Sequence, residues 1–258
     1  MSPSTGKAVT VRLPADLDEP ALSGFCEELK ASLRESPQAI AIDCSLLEHA
    51  SSAHINTLWN ALTTCERAGT PLRLSSVGYG LERVLKVLDI YDLFVVERLS
   101  EEPPPVAEWH GLVRAGFEHF QVEIDPTMDE INGVLLGFHD FLRKSDVSEI
   151  CAFDLETVFY EVSTNIVRHS GLGLDKSISF SATLDTDGIR MRFTDAGSSF
   201  DPTRNAPCFD PRRAIRNKQR NGIGLTMIRR LVDDISYERV GDKFNVVTLR
   251  KKLSRCRR

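Results

Sequence analysis

Two side chains one helical turn apart in the second half of the chain could hold a metal ion and orient a nucleophile. Glu161 and Asn165 lie four residues apart in a stretch, 148–169, whose apolar residues recur at helical spacing. The two side chains therefore share a helix face that is turned away from the apolar stripe. A carboxylate can accept a proton, and a carboxamide oxygen can bind a hard cation. The same pair is common on a solvated helix face, so the spacing alone leaves both interpretations open.

One acid and three glycines further along the chain could bind a nucleotide. Asp195 and Gly197 directly follow a predicted strand. A carboxylate there can accept a hydrogen bond from an exocyclic amine, and a glycine allows close approach to the backbone. Gly222 and Gly224 open a predicted helix, and glycines at a helix N-terminus suit phosphate binding. Taken alone, a Gly-x-Gly pair is equally typical of a tight turn.

The stretch between these two motifs, 198–220, is rich in proline, arginine and asparagine and has little periodicity. Structureless segments longer than about 15 residues in a compact domain are usually functional lids or disordered. Phosphoryl transfer depends mainly on positioning and charge neutralisation. Arginines of this stretch, such as Arg216 and Arg220, could therefore neutralise the charge of a bound phosphate.

A pair of serines in the first half could carry a different chemistry. Ser51 and Ser52 stand at the start of a predicted helix. A serine there can cap the helix by accepting a hydrogen bond from a free backbone N–H group. A phosphate is also favoured at such a position, because the helix dipole and the free amides stabilise negative charge. The capping role needs no function, and the residues alone do not decide between the two.

The elements that would position these residues follow from hydrophobic periodicity. In the first half, the predicted strands are 9–13, 39–43 and 72–74, and the predicted helices are 21–33, 52–68 and 80–88. In the second half, the predicted strands are 117–124, 178–184 and 189–194, and the predicted helices are 128–144, 148–169 and 221–231. This pattern predicts an α/β protein in which helices pack on sheets.

Composition and charge indicate the domain organisation. The chain has 258 residues, a net charge of −5 and three consecutive prolines at 103–105. Because consecutive prolines favour an extended linker, we predict a first domain at 1–100, a Pro-rich linker at 101–114 and a second domain at 115–258. The acidic balance argues against nucleic acid as a direct partner. The basic stretch 250–258 could be an interaction site, but a solvated chain end is the simpler prediction.

The location is predicted from the absence of targeting and membrane signals. No apolar run approaches the roughly 18–20 residues of a membrane span, and the N-terminus has no apolar stretch typical of a secretory signal. The six cysteines are scattered without a CxxC pair. We therefore expect a cytoplasmic protein with reduced thiols and with neither a disulfide framework nor a zinc site.

The first half resembles a STAS domain, the fold of bacterial anti-sigma factor antagonists, over about 9–94. The resemblance rests on residues 11–18, on 42–43 and on the loop and helix that begin at Ser51. In that family the loop reads Asp-Ser-Ser-Gly or Asp-Thr-Ser-Gly, and a partner kinase phosphorylates its last serine. Carried over, the candidate phosphoacceptor is Ser52, although alanines here replace the Asp and the Gly.

The second half resembles the GHKL (Bergerat) α/β sandwich of histidine kinases, gyrase and the Hsp90 chaperones, in the branch of the bacterial anti-sigma factor serine kinases. Three boxes in the family's order carry the resemblance: Glu161-x-x-x-Asn165, Asp195-x-Gly197 and Gly222-x-Gly224. The resemblance implies that Glu161 is the general base, Asn165 the Mg²⁺ ligand and Asp195 the adenine-binding residue. It also implies that Gly197, Gly222, Gly224 and the lid residue Arg220 contribute to ATP binding.

Together the resemblances imply an ATP-binding protein serine/threonine kinase, fused to a STAS module and acting with ATP and Mg²⁺ in a bacterial partner-switching pathway. The partner would be a STAS-domain antagonist or the chain's own STAS domain; a sigma factor, another regulator and a second copy of the chain are further candidates. The alternative is a catalytically weak ATP-binding module that sequesters a partner through nucleotide-dependent lid closure. A STAS scaffold with an inert second domain would require the three boxes to coincide by accident.

Overall fold

Two compact units make up the chain. The structure is a computed structural model that describes residues 8–47, 49–99, 118–145, 147–173, 176–199, 201–203 and 222–252. The described residues up to 99 belong to the first unit, and those from 118 onward belong to the second. The predicted Pro-rich linker at 101–114 lies outside the described residues.

The first unit is built on a four-stranded parallel sheet in the order β1-β2-β3-β4. Its strands are β1 Val9–Arg12, β2 Ile40–Asp43, β3 Leu72–Val77 and β4 Val95–Arg98, and its helices are α1 Glu19–Arg34, α2 Ser52–Arg67 and α3 Tyr79–Val87. Each helix lies in sequence between two neighbouring strands, because a parallel pair needs a crossover connection. Fully buried side chains come from both kinds of element, with Ile42 and Leu74 on the strands and Leu58 and Leu81 on the helices.

The three helices and first three strands predicted for this unit are confirmed, with ends that differ by a few residues. Helix α1 begins where the Asp18 side chain accepts a hydrogen bond from the Ala21 N–H (2.8 Å), which is the usual role of an N-cap acid. Strand β4 is missing from the sequence prediction. Among the described strands it pairs only with β3, and its Val95 is 66% exposed, so it lacks the burial that hydrophobic patterns report.

The second unit is built on a five-stranded antiparallel sheet in the order β5-β6-β7-β9-β8. Its strands are β5 Glu118–Ile124, β6 Ile178–Leu184, β7 Gly188–Asp195, β8 Asp234–Val240 and β9 Phe244–Lys252, and its helices are α4 Met128–Lys144, α5 Glu149–His169 and α6 Ile223–Leu231. The register places Asp195 opposite Asn245. The end of β7 and the start of β9 therefore meet at one edge of the sheet.

Phenylalanines form much of the core of the second unit. Phe138 of α4, Phe159 of α5 and Phe180 of β6 are fully buried. The ring centroids of Phe159 and Phe180 lie 4.7 Å apart, and those of Phe138 and Phe180, which meet edge to face, lie 5.2 Å apart. Such aromatic pairs contribute about 0.5–1.5 kcal/mol beyond the area that they bury. They fasten α5, which carries the first sequence motif, to the sheet.

The predicted helices of this unit and strands β5, β6 and β7 are confirmed, whereas β8 and β9 were not predicted. Residues 250–252 complete β9, and the expectation of a solvated end is wrong at Lys251, whereas Lys252 is exposed. Lys251 is 8% exposed; its Nζ lies 3.0 Å from Asp154 Oδ2 and donates to the Leu231 carbonyl at the end of α6 (2.6 Å). The positive charge of Lys251 is thus compensated by the Asp154 carboxylate and by the C-terminus of α6. In the sequence, the same charge suggests exposure to solvent.

One cysteine departs from the expectation of reduced thiols. Cys26, Cys44 and Cys65 are free, and burial raises the pKa of Cys44 to about 12. Cys151 is disulfide-bonded, so the expectation is wrong at this residue. The remaining two cysteines lie outside the described residues.

Within the described part of the chain, no helix is both long enough and apolar enough to cross a membrane. The longest helix of that part, α5, has 21 residues but carries four acidic ones.

Candidate nucleotide-binding site

A cavity of about 470 Å³, including its open mouth, is lined by α5, α6 and the sheet of the second unit. Most of its wall is apolar; these residues are Val162, Ile166, Pro202, Leu225, Ile228, Ile235 and Val247. The polar residues are Asn165, His169, Ser170, Asp195 and Asn245. A mostly apolar cleft with a few convergent polar groups is the usual form of a small-molecule site.

Helix α5 brings Asn165 and His169, one turn apart, into the wall of this cavity. Glu161 lies one turn before Asn165, is 2% exposed and is not among the residues that line the cavity. The structure therefore brings Asn165 and Asp195 together and keeps Glu161 buried outside the lining. Among the described residues, no group of three or more His, Cys, Asp or Glu side chains could hold a metal ion.

Asp195 ends β7 in the cavity wall and is 4% exposed. Its Oδ1 accepts hydrogen bonds from the Gly197 N–H (2.8 Å) and from the Asn245 side-chain amide (2.9 Å). No donor among the described residues is bonded to Oδ2, so this oxygen can accept a hydrogen bond from a ligand. A carboxylate oriented in this way can favour a ligand with an amine.

Gly197 lets the chain after β7 pass against the end of α5. A Cβ atom at this position would lie 2.4 Å from the Cβ atom of Ser170, which is closer than two non-bonded carbon atoms can approach. The Ser198 N–H donates to the Ser170 carbonyl (2.6 Å). Gly197 thus serves packing beside the cavity and is not itself part of the lining.

Helix α6 begins beside the cavity, because Leu225 and Ile228 of this helix lie in the wall. Gly222 is its N-cap, with φ at 102°, a backbone conformation that favours glycine. No side chain among the described residues caps this end. The N–H groups of the first turn, which includes Gly224, are therefore available to an anion. Arg216 and Arg220 lie outside the described residues.

Sequence reasoning missed what the last two strands contribute to the cavity. Ile235 of β8 and both Asn245 and Val247 of β9 belong to the lining. Asn245 is 3% exposed and lies opposite Asp195 in the sheet. The sequence signal that could have identified Asn245 is its amide side chain within the otherwise apolar stretch 244–247. A buried amide needs hydrogen-bond partners, so its presence there indicates a polar contact.

The start of α2, in the first unit, is the second candidate site, and here a serine and a histidine bind each other. His54 Nε2 donates to the Ala15 carbonyl (2.9 Å), so Nδ1 is the acceptor nitrogen. Nδ1 accepts from the Ser51 N–H (3.1 Å) and the Ser51 hydroxyl (2.8 Å), and the Ser51 oxygen accepts from the His54 N–H (3.4 Å). Ser51 is therefore the capping serine, whereas Ser52 is the first helical residue and is half-buried.

The pKa values of two ionisable groups of this unit are both lowered, but for different reasons. Burial lowers the pKa of His54, although carbonyls and an acid of the β1–α1 loop act in the opposite direction. The imidazole is thus held neutral, as its hydrogen bonds require. Burial raises the pKa of Asp43, at the end of β2, but hydrogen bonds from Ser45 and Arg12 outweigh this effect and the pKa is lowered overall.

Two family models match the chain, one in each unit. The model described as Mlab, STAS domain matches residues 1–97, and the model of the histidine kinase-like ATPase domain matches residues 124–251. No curated protein matches the chain.

Two solved structures resemble part of the chain. The RsbU and RsbW domains of Rv1364c from Mycobacterium tuberculosis have 19% sequence identity and a TM-score of 0.39, over 52% of this chain and 32% of that chain. The SiaB–SiaC complex from Pseudomonas aeruginosa has 14% identity and a TM-score of 0.41, over 51% of this chain and 88% of that chain. The chain therefore spans about a third of the length of the first of these structures.

Proposed function

Because this chain joins a STAS domain to a histidine kinase-like ATPase domain, we propose that it is an ATP-dependent protein serine/threonine kinase of a bacterial partner-switching pathway. Phosphorylation adds negative charge and strong acceptor oxygens, and so can release one binding partner in favour of another. The STAS domain would be either the substrate of the ATPase domain or the module that controls it.

The observation that carries this proposal is the cavity that contains Asn165, Asp195 and the start of α6. Asp195 Oδ2 suits an exocyclic amine, the apolar wall suits a flat base, and the uncapped first turn of α6 suits phosphates. A purine nucleotide with an amino group has these three features in one molecule. The combination therefore favours ATP as the ligand.

The residues present also fit Mg²⁺ as a companion of the nucleotide. Mg²⁺ is usually held by one or two protein oxygens together with the phosphates of the substrate, and Asn165 offers a carboxamide oxygen in the cavity wall. When bound, the ion would neutralise phosphate charge. The backbone N–H groups of the α6 first turn and the guanidinium of Arg220 would bind the remaining phosphate oxygens.

Glu161 is the general base in this proposal. The hydroxyl of the incoming serine loses its proton to the Glu161 carboxylate while its oxygen bonds to the γ-phosphorus of ATP. The bond from that phosphorus to the β–γ bridging oxygen breaks, and ADP leaves. Because Glu161 is 2% exposed, the partner that presents the serine must also open a path to this carboxylate.

Ser52 is the phosphoacceptor that we propose within the chain, and the equivalent serine of a separate STAS protein is the acceptor in trans. Ser51 is 8% exposed and its hydroxyl is engaged with His54. Ser52 occupies the first turn of α2, where a phosphate would gain from the helix dipole.

The burial of Glu161 also favours a second function, an ATP-dependent binding module with little kinase activity. In this case the stretch 198–220 would close over ATP and change the affinity for a STAS protein or another regulator, without phosphoryl transfer. The two functions share the nucleotide site and differ only in whether Glu161 reaches a hydroxyl.

Incubation with Mg-ATP, followed by intact-mass measurement and phosphopeptide mapping, distinguishes the two functions. A kinase should add one phosphoryl group to the peptide that contains Ser52 or to an added STAS protein. Ser52→Ala should abolish the modification in cis, whereas the matched control Ser51→Ala should not. Glu161→Gln should retain ATP binding and lose transfer.

The other outcomes are equally informative. ATP binding without phosphate incorporation, alone or with any STAS partner, would support the binding module and exclude the kinase. A wild-type chain that does not bind ATP in calorimetry would overturn both functions.

A further inference from the structure

We propose that Asn245 is a positioning residue for selection of the nucleotide base, an inference that rests on the proposed function of the cavity as an ATP site. Together with Tyr237 and Arg239, it would hold the Asp195 carboxylate in the orientation that accepts an amine. Asn245 lies on β9 and belongs to none of the three sequence motifs.

Asn245 uses both ends of its side-chain amide. Its Nδ2 donates to Asp195 Oδ1 (2.9 Å) and to the Ser198 carbonyl (3.0 Å). Its Oδ1 accepts from the Tyr237 hydroxyl (2.8 Å) and from Arg239 Nη1 (2.7 Å). A carboxamide has two donor hydrogens and one oxygen with two lone pairs, so this buried group is fully satisfied.

These partners permit only one orientation of the amide. A guanidinium has only donors, so the atom beside Arg239 is the oxygen, and a carboxylate only accepts, so the atom beside Asp195 is the nitrogen. Because the Tyr237 hydroxyl donates to Asn245, it accepts from the Ser199 hydroxyl (3.0 Å). The cluster is a directed network in which a change at one member affects the others.

The same network also holds the backbone that follows Asp195. Arg239 Nη1 donates to the Gly197 carbonyl (2.9 Å), and Arg239 Nη2 donates to the Asp242 carbonyl (2.9 Å) in the β8–β9 turn. The Ser198 carbonyl is bonded to Asn245, and the Ser198 N–H to the Ser170 carbonyl. Residues 197–199 are therefore attached to β8, to β9 and to the end of α5.

Loss of Asn245 should weaken an amine-bearing base more than a carbonyl-bearing one. Asp195 Oδ1 has two donors, the Gly197 N–H and the Asn245 amide, and two bonds from different residues prevent rotation of the carboxylate. With one bond left, Oδ2 can turn away from the base. ATP then loses its acceptor, whereas ITP, which has a carbonyl in place of the amine, has no such bond to lose.

The test is the ratio of the dissociation constants of ITP and ATP, measured by calorimetry with the full chain and Mg²⁺. The wild type should prefer ATP by about 10- to 100-fold, the range of a hydrogen bond to a charged group. Asn245→Ser should reduce this preference to about threefold or less, mainly through weaker ATP binding. Thr248→Ala, on the same strand but outside the cavity lining, is the matched control and should leave the ratio unchanged.

Asn245→Asp gives a readout that a loss of stability would not imitate. At low pH the introduced carboxyl is protonated and can donate to Asp195 Oδ1. As the pH rises, two carboxylates face each other at hydrogen-bond distance and repel. Asp195 raises the pKa of this carboxyl and the Arg239 guanidinium, which also faces it, lowers that pKa, so the preference for ATP should fall as the pH rises from about 4 to 8 in this variant and stay constant in the wild type.

Two results would overturn the role of Asn245 while ATP binding itself stands: an unchanged ratio in Asn245→Ser, or a ratio independent of pH in Asn245→Asp. A wild-type chain that does not bind ATP would overturn the proposed function, and this inference with it.

Discussion

Helices α2 and α6 begin in opposite ways, and the difference separates two uses of a helix N-terminus. At α2 the N-cap is Ser51, and a capping box with His54 engages the backbone N–H groups of both residues. At α6 the N-cap is Gly222, and no side chain among the described residues caps the helix. Since every α-helix starts with N–H groups that lack an intrahelical partner, the first end is closed by a side chain, whereas none of the described side chains closes the second, which we call the open end.

The two ends also differ in what lies beside them. The closed end joins α2 to the β1–α1 loop through the hydrogen bond from His54 to the Ala15 carbonyl, so it connects two segments of the first unit that are distant in sequence. The open end adjoins the cavity through Leu225. In the sequence, both helix starts are compatible with a phosphate. We expect a bound nucleotide phosphate at the start of α6 and a covalently attached phosphate on Ser52 at the start of α2.

The largest effect should come from breaking the closed end. His54→Ala leaves the buried Ser51 N–H without its acceptor, removes the bond to the Ala15 carbonyl and creates a void at a residue that is 5% exposed, and we expect the first unit to lose about 2–4 kcal/mol of stability. Hydrogen exchange of the α2 amides in the full chain measures this loss. His54→Gln is the control, because glutamine at this position can complete a capping box and should restore part of the protection. Unchanged exchange in His54→Ala would mean that the box contributes nothing.

A smaller effect should follow from a side chain at the open end. Gly222→Ala places a Cβ at φ 102°, which strains the start of α6 by about 1–3 kcal/mol and should weaken ATP binding about tenfold. Gly69→Ala is the matched control, since Gly69 has φ at 66° and no atom of the described residues lies within 4 Å of where its Cβ would be. It should cost similar stability without changing ATP affinity. Equal ATP affinity of the wild type and Gly222→Ala in calorimetry would remove α6 from the phosphate site.

The two serines of the closed end should respond differently to the same substitution. Ser51→Ala removes the N-cap oxygen and should cost about 1 kcal/mol. Ser52→Ala places a good helix former in the first turn and should change stability by less than about 0.5 kcal/mol. Urea unfolding of the full chain measures both changes. Equal losses would contradict the assignment of Ser51 as the cap.

The smallest effect should be a pH dependence of the closed end. Burial lowers the pKa of His54 in the folded chain, so the unfolded chain binds the proton more readily. The stabilisation is therefore complete above the ordinary histidine pKa of about 6.5 and is lost as the pH falls below it. The stability difference between the wild type and His54→Gln, from urea unfolding, should shrink from pH 7.5 to pH 5.5 as more histidine is protonated. A difference that grew on acidification would show that the histidine is charged in the folded chain.

Hydrophobic periodicity predicted most helices and strands because apolar residues recur at regular spacing wherever one face of an element is buried. Helix α4 agrees with its predicted ends, 128–144, since its apolar face packs on the sheet with regular spacing. Strand β8 gave no such signal, because the residues between its exposed positions are only half-buried and include the charged Arg239, and because it lies at the edge of its sheet. The prediction of solvent exposure was wrong at Lys251 for a related reason. A basic residue near a chain end is usually exposed to solvent, and its contact with Asp154, which explains its burial, is visible only in the structure.

The candidate site was only partly visible in the sequence. Asn165 and Asp195 were predicted and both line the cavity, whereas Glu161 lies outside the lining. Asn245 was missed because its partner Asp195 lies 50 residues earlier in the chain. No local spacing rule connects them.

The sequence by itself determined the α/β class, most of the helices and strands, the two family resemblances and the order of the three motifs, because these depend on residue types and short spacings. The tertiary structure alone decided which of those residues meet. Sheet register set Asn245 against Asp195, and packing of Gly197 on Ser170 held the following backbone. It also decided that one helix start is closed by His54 and another is open beside a cavity. Such pairings depend on contacts between distant segments, and a linear pattern records only the neighbours of each residue.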